Sequence, residues 1–286
     1  MKNEILVTGA TGFLGRHLVA ALESQGCAVH MHSSADGDIA DCALPMDSVS
    51  HVFHLAGESY VPESWQNPQA FYRTNVMGTV NVLEHCRRNQ AALTLISSYV
   101  YGEPQRLPIA EDHPLAASNP YAHTKILAEH TARFYEQRFG VALTIVRPFN
   151  IYGPGQRPSF LIPSIVHQVL DPSAAVVHVT DLRPKRDYVY VADAVTLLLA
   201  TLRPGVRGTY NLGSGRSVSV AEVAELANHA AGVRKQVVSA DQPRPGEILD
   251  VVADTSRASA ELGWRPSTPL AEGIAAVVAA ERAARG

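Results

Sequence analysis

With 286 residues and 46 % hydrophobic content, the chain suits one α/β unit with a smaller appended lobe and a substantial core. A net charge of -3 without a polybasic run makes nucleic acid and anionic membranes poor partners, while scattered basic residues suit one small anionic ligand. Cys27, Cys42 and Cys86 are odd in number and lack metal-ligand spacing, no signal-peptide pattern opens the sequence, and no apolar run reaches membrane length. The expectation is a cytoplasmic protein with no metal site.

Residues 2–8 form an apolar run of strand character that leads into Gly9-Ala10-Thr11-Gly12-Phe13-Leu14-Gly15 and a helical pattern through Leu18, Val19 and Leu22. Glycines at 9, 12 and 15 allow a tight turn, close approach to a pyrophosphate, and close packing of helix on strand. The helix N-terminus then aims free amides at the phosphates. The spacing is GxxGxxG, not the GxGxxG of the commonest dinucleotide fold. Residues 28–32 alternate as a strand. At its end an acid would hold the ribose of NAD and a base the phosphate of NADP, and Ser33-Ser34 is neither. His30 and His32 share a face of this strand and read as ordinary exposed histidines. Residues 49–55 form the next core strand, with His51 and His54 on opposite faces and so not a zinc pair. Glu58, Ser59 and Tyr60 follow at its carboxyl end, where ligands of open α/β sheets bind, and Ser64-Trp65 continues that loop. Residues 68–89 read as one long helix, and 93–98 as a strand that carries Ser97 near its end.

Residues 118–140 carry the chemistry. Ser118 or Asn119 caps a helix, Pro120 lies in its first turn and Gly140 ends it. Tyr121 and Lys125, four apart, share a face. A free phenol has a pKa near ~10, too high for a base at neutral pH, and a neighbouring ammonium favours the phenolate. Such a tyrosine can take a proton from a sugar hydroxyl or return one to a carbonyl oxygen. Ser97, 24 residues earlier, can hydrogen-bond the reacting oxygen. After a strand at 141–146, Pro154, Gly155, Pro158, Pro163 and Pro172 break up the elements, as in a small lobe that closes over a substrate. An apolar helix at 191–202, a strand at 208–212, a serine-capped helix at 219–231 and an alanine-rich packing helix at 270–285 complete the pattern.

The motifs at residues 8–15, 54–57 (His-Leu-Ala-Gly), 75–79, 97–102 (Ser-Ser-Tyr-Val-Tyr-Gly), 121–125, 147–154, 186–191 and 262–264 occur in the order seen in one family. Over nearly its whole length the chain resembles an extended short-chain dehydrogenase/reductase of the branch that modifies nucleotide sugars. That resemblance implies an α/β fold with a Rossmann-type doubly wound parallel sheet. Residues 1–150, with 187–212 returning, would be mainly the NAD(P)-binding domain, and 151–286 mainly the substrate lobe. It implies cofactor contacts from Gly9, Thr11, Gly12, Phe13, Leu14 and Gly15, then Ser33, Asp38 and Ile39, Leu55, Ala56 and Gly57, and Asn75, Tyr121, Lys125 and Pro148. Asp38, in Gly37-Asp38-Ile39, would meet the adenine amino group after an almost absent second crossover. Ser97, Tyr121 and Lys125 would be catalytic, with Lys125 also holding the nicotinamide ribose. Glu58, Ser59, Ser98, Tyr99 and Asn150 would face the sugar nucleotide, with Arg186 and Arg244 gripping its diphosphate. Relatives often dimerise through the helices at 68–89 and 118–140, so a homodimer is expected.

Ser98 and Tyr99 stand where 4,6-dehydratases of the family carry Asp and Glu, which disfavours standard dehydration. The cysteine some 3,5-epimerase/reductases place after the serine is missing too. The expected reaction is hydride transfer at C4 of a nucleotide-diphosphate hexose, with NAD placed ahead of NADP. A 4-epimerase is the first reading, on Arg186 and Arg244. The alternative is a 4-keto-6-deoxyhexose reductase, because Ser64-Trp65, Asn67 and Phe149-Asn150 through Gln156 resemble GDP-4-keto-6-deoxymannose reductases. An unusual dehydratase is a third option. A cofactor-sensing protein without catalysis is opposed by the intact Ser97, Tyr121 and Lys125.

Overall fold

The computed structural model describes residues 4–44, 49–242 and 247–285. The first half alternates strands and helices: β1 (Glu4–Thr8), α1 (Phe13–Ser24), β2 (Ala28–His32), β3 (His51–His54), α2 (Val61–Gln66), α3 (Pro68–Phe71), α4 (Gly78–Asn89), β4 (Ala92–Ile96), α5 (Pro120–Phe139) and β5 (Leu143–Pro148). The rest is more broken: β6 (Asn150–Tyr152), α6 (Leu161–Leu170), β7 (Val176–Val179), β8 (Lys185–Tyr190), α7 (Val191–Ala200), β9 (Gly208–Leu212), β10 (Ser217–Ser219), α8 (Val220–Ala231), β11 (Gln236–Ser239), α9 (Ser256–Leu262) and α10 (Leu270–Arg285).

Six strands form one parallel sheet in the order β2-β1-β3-β4-β5-β9. The chain leaves β1 for β2 on one side and then crosses to β3 on the other. This reversal opens a crevice at the carboxyl ends of β1 and β3, where ligands of open sheets sit. Side chains alternate along each strand, so β1 feeds two cores. Ile5 and Val7 pack with α1, α7 and α9, while Leu6 packs with the face covered by α4 and α5. Smaller sheets, β10-β8-β6 and β11-β7, join α6, α8 and α10 in a separate cluster around Ile165, Val177, Val223 and Ile274. Within 187–212, residues 187–190 belong to β8 of the three-stranded sheet, whereas α7 and β9 lie with the large one.

Two local expectations change. The helix expected over 68–89 runs through a π-helical stretch at Tyr72–Met77 between α3 and α4. Asn75 lies within this stretch, and such turns are frequent at functional sites. His32 is 3 % exposed rather than surface-lying, because residues 37–42 fold back over the end of β2 and bring the Cys42 Sγ to 3.0 Å from its Nε2. Among the described residues, no group of three or more His, Cys, Asp or Glu side chains could hold a metal. No helix among them is long and apolar enough to cross a membrane.

Candidate active site

The glycine turn is made by backbone against backbone. Gly9 has φ +69°, and a Cβ there would lie 2.7 Å from the Ala56 nitrogen. A Cβ on Gly15 would come to 2.1 Å from the Gly9 carbonyl oxygen. Gly12 caps α1 with extended backbone and no side-chain cap, which leaves the amides of the first helical turn open to an anion. A pyrophosphate fits this cradle. Thr11 is exposed beside it, and Phe13 and Leu14 are half-buried on the first turn of α1.

A hydrogen-bond chain braces the turn from below. The Ala56 amide donates to the Thr8 hydroxyl at 3.2 Å, and that hydroxyl meets His54 Nδ1 at 2.8 Å. On the other side of the ring, His54 Nε2 meets Thr79 Oγ1 at 3.1 Å, and Thr79 donates to the Asn75 carbonyl at 2.6 Å. Both hydroxyl protons are then assigned, so Nδ1 accepts and Nε2 carries the proton. Burial pushes His54 down to about 3, which keeps the ring neutral.

At the adenosine end, Ser33 is 9 % exposed and its backbone and hydroxyl both donate to Asp36 at 2.8 Å. Asp36, three residues on and folded back by a short 3₁₀ turn, brings a carboxylate to the end of β2 that sequence reading did not single out. Asp38 is exposed and accepts from Arg73 Nε at 2.8 Å. Ile39 is buried under Gly78, and its carbonyl accepts from Asn81 at 2.9 Å.

Beyond the end of β4 lie the three residues of the proposed chemistry. Asn119, not Ser118, caps α5 by accepting from the Ala122 amide at 2.8 Å, and Gly140 ends it with φ +72°. Tyr121 stands on the first turn, edge-on to Phe71 at 6.4 Å between ring centres. Lys125 is 9 % exposed, and its Nζ donates to the Ile96 carbonyl at 2.6 Å. Burial brings its ammonium down to about 8, opposed by the charge of Glu129. The Ser97 hydroxyl is buried with no partner, as expected of a group that waits for a ligand oxygen.

One expectation needs correction here. Burial raises the Tyr121 phenol rather than lowering it, and the hydroxyl that favours its ionised form belongs to Ser98. The reason is local: Lys125 directs a proton to the Ile96 carbonyl, while the phenol sits in the apolar wall against Phe71.

Asn75 is fully occupied within the protein. Its Oδ1 accepts from the Glu58 amide at 2.9 Å, and its Nδ2 donates to the Glu58 carbonyl at 3.1 Å and to Thr124 Oγ1 at 2.9 Å. It thus fastens the loop after β3 to α5. Thr124, inside the Tyr-Lys motif, was missed by sequence reading, although its place in the motif was the available signal. Gly57 allows this crossing, since a Cβ there would lie 2.8 Å from Asn75 Oδ1 and 3.9 Å from Lys125 Nζ. Leu55 and Ala56 are half-buried, and Glu58 and Ser59 are exposed at the mouth.

Opposite this edge, Tyr99 stacks on Phe149 at 5.1 Å, and the Tyr99 amide donates to the Pro148 carbonyl at 3.2 Å. Asn150 Nδ2 donates to the Asp187 carbonyl at 3.2 Å. Arg186 is half-buried, ion-paired with Glu247 and donating to the Ile248 carbonyl at 2.7 Å. Arg244 lies outside the described residues.

The model of the NAD dependent epimerase/dehydratase family matches residues 5–213. A putative UDP-glucose 4-epimerase of Methanocaldococcus jannaschii is 31% identical, over 96% of this chain and 97% of that protein. A GDP-6-deoxy-D-mannose reductase of Pseudomonas aeruginosa is 30% identical, over 97% of each. The crystal structure of the Thermus thermophilus UDP-glucose 4-epimerase in complex with NAD superposes with a TM-score of 0.88 at 29% identity, covering 98% of this chain and 99% of that one. A glycine cradle shaped for a pyrophosphate, an unpartnered serine hydroxyl and a tyrosine and lysine on one helix face agree with these likenesses, and the chain belongs to the NAD dependent epimerase/dehydratase family.

Proposed function

We propose that the protein transfers a hydride at C4 of a hexose carried on a nucleoside diphosphate, with 4-epimerisation as the first reading. The observation that carries this is the buried, unpartnered Ser97 hydroxyl just past the end of β4, next in sequence to the Ser98 that meets Tyr121 and to the Ile96 carbonyl that holds Lys125. Bound NAD would supply the hydride acceptor and donor. Ser97 would donate to the C4 oxygen, and Tyr121, in its ionised form, would take the proton from that hydroxyl, with the Lys125 ammonium offsetting the cost of the buried phenolate. After the 4-keto sugar turns over, Tyr121 returns the proton as the other face is reduced. Arg186 suits the diphosphate because its planar fork matches phosphate oxygens, and substrate would compete with Glu247 for it. NAD is placed ahead of NADP because Asp36 puts a negative charge near where a 2′-phosphate would sit. Two copies pairing through α4 and α5 belong to the same reading, since Phe134 and Phe139 stay 52% and 49% exposed on α5.

A second reading, reduction of a 4-keto-6-deoxyhexose, is favoured by the likeness to the GDP-6-deoxy-D-mannose reductase over 97% of both chains. Dehydration at C5 and C6 has less support, because Ser98 and Tyr99 offer no carboxylate there. The test is to denature the purified protein gently and identify what leaves it. Stoichiometric NAD favours the epimerase, which recycles its cofactor within each turnover. An empty protein that takes up NADPH or NADH favours the reductase. Tyr121→Phe should cut turnover on the order of 10³-fold while cofactor affinity stays nearly unchanged. Turnover that survives this change sinks both readings.

A further inference from the structure

Glu129 lies one helical turn beyond Lys125 on α5 and is 0% exposed. Its carboxylate is held by the guanidinium of Arg147 in β5, with Nε at 3.0 Å and Nη2 at 2.6 Å. Arg147 is 3% exposed, and its Nη1 donates to the Tyr101 hydroxyl and to the Glu111 carbonyl, both at 3.1 Å. Tyr101 in turn donates to Asn211 Oδ1 at 2.5 Å. The carboxylate is therefore fixed by a rigid fork mounted on a central strand. It cannot swing without breaking a buried ion pair.

Few charges face Lys125. From β4 it meets the Ile96 carbonyl, and from the π-helical turn the uncharged Asn75. From β3 comes His54, which burial keeps neutral, and from its own helix Tyr121, likewise held neutral by burial. The Glu58 carboxylate is exposed at the mouth, and the Glu111 carboxyl, beyond Arg147, accepts from the Asn211 amide at 2.8 Å. Tyr101 is buried and neutral, and Arg147 is the ion-pair partner of Glu129, so each offsets part of the other's field. Glu129 remains as the anion that favours a charged Lys125 against the cost of burial.

We propose that Glu129, clamped by Arg147, is a positioning residue that holds a fixed negative charge one turn behind Lys125 and so keeps that ammonium protonated beside Tyr121. Each partner needs the other. Without Arg147, a carboxyl this buried takes up a proton and loses its charge; without Glu129, the guanidinium is left buried and repels Lys125. The proposal rests on the Tyr121 and Lys125 roles given above.

Its test needs no substrate. The full chain is labelled with ¹³C at the lysine ε-carbon, and the Lys125 resonance is identified by its loss in Lys125→Arg. In wild type this resonance should titrate with a midpoint of about 8. In Glu129→Gln the midpoint should fall by about one pH unit or more, a change that a purely structural role would not produce. The double variant Glu129→Gln/Arg147→Met leaves no unpaired charge in the interior, and its midpoint should fall as well; it decides the matter if the single variant does not fold. A folded variant with an unmoved or raised midpoint overturns the role given to Glu129. Because the titration is independent of turnover, that outcome is distinct from an active Tyr121→Phe enzyme, which would overturn the proposed function instead.

Discussion

The two sides of the cleft are built from different materials. On the side of α1, backbone touches backbone: Gly15 against the Gly9 carbonyl, Gly9 against the Ala56 amide. On the side of β8, side chains carry the contacts, with Arg186 paired to Glu247, Tyr99 stacked on Phe149, and the Asp187 carboxylate taking four donors, the Ser214 hydroxyl and the amides of Ser214, Gly215 and Ala253. A backbone contact has no rotamer to yield, so the first wall tolerates no added atom. A side-chain pair can part and re-form, so the second wall can exchange an internal partner for a ligand.

Breaking the first wall should have the largest effect. Gly15→Ala puts a Cβ 2.1 Å from one carbonyl oxygen and 2.8 Å from the next, Ala10. We expect a loss on the order of 3 kcal/mol in stability together with loss of NAD binding. Urea unfolding and a fluorescence titration with NAD would show it, and an alanine variant that binds NAD like wild type would refute the rigid-wall description.

The second wall is tested by Arg186→Met. If this guanidinium leaves Glu247 for the diphosphate, KM for a nucleotide sugar should rise roughly tenfold or more, with kcat much less affected. An unchanged KM would mean that Arg186 serves only its own ion pair.

A pH-dependent effect concerns the two neutral histidines of β3, His54 behind the glycine turn and His51 at the far end of the strand. Burial depresses them to about 3 and about 4 in the folded chain, below the ordinary ~6.5 that the unfolded chain recovers. The unfolded state therefore binds more protons between these values. Stability should be fully present above pH ~6.5 and fall with acid at about 1.4 kcal/mol per pH unit for each histidine. His51→Gln should halve that slope between pH 6 and 4.5 in urea midpoints. An unaltered slope would show that other groups govern it.

Much of the cleft was legible in the chain. Asn119, Pro120 and Gly140 mark the ends of α5, because caps and breakers act on their own backbone. The face shared by Tyr121 and Lys125 follows from helical spacing. The burial of His32 was not legible, because it depends on residues 37–42 folding over β2. Nor was the hydroxyl beside Tyr121: Ser97 and Ser98 are neighbours in sequence, and only the packing of α5 on β4 selects which one the phenol meets.

The sequence by itself determined the local pieces: the glycine turn, the capped helix α5, and the alternation of strand and helix. Each is set by interactions within a few residues. Tertiary structure alone decided the strand order β2-β1-β3-β4-β5-β9, the pairing of Arg186 with Glu247 across 61 residues, and the clamp of Arg147 on Glu129. Those contacts join segments far apart in the chain, and their charges settle only when burial removes water and leaves each group the partners that packing supplies.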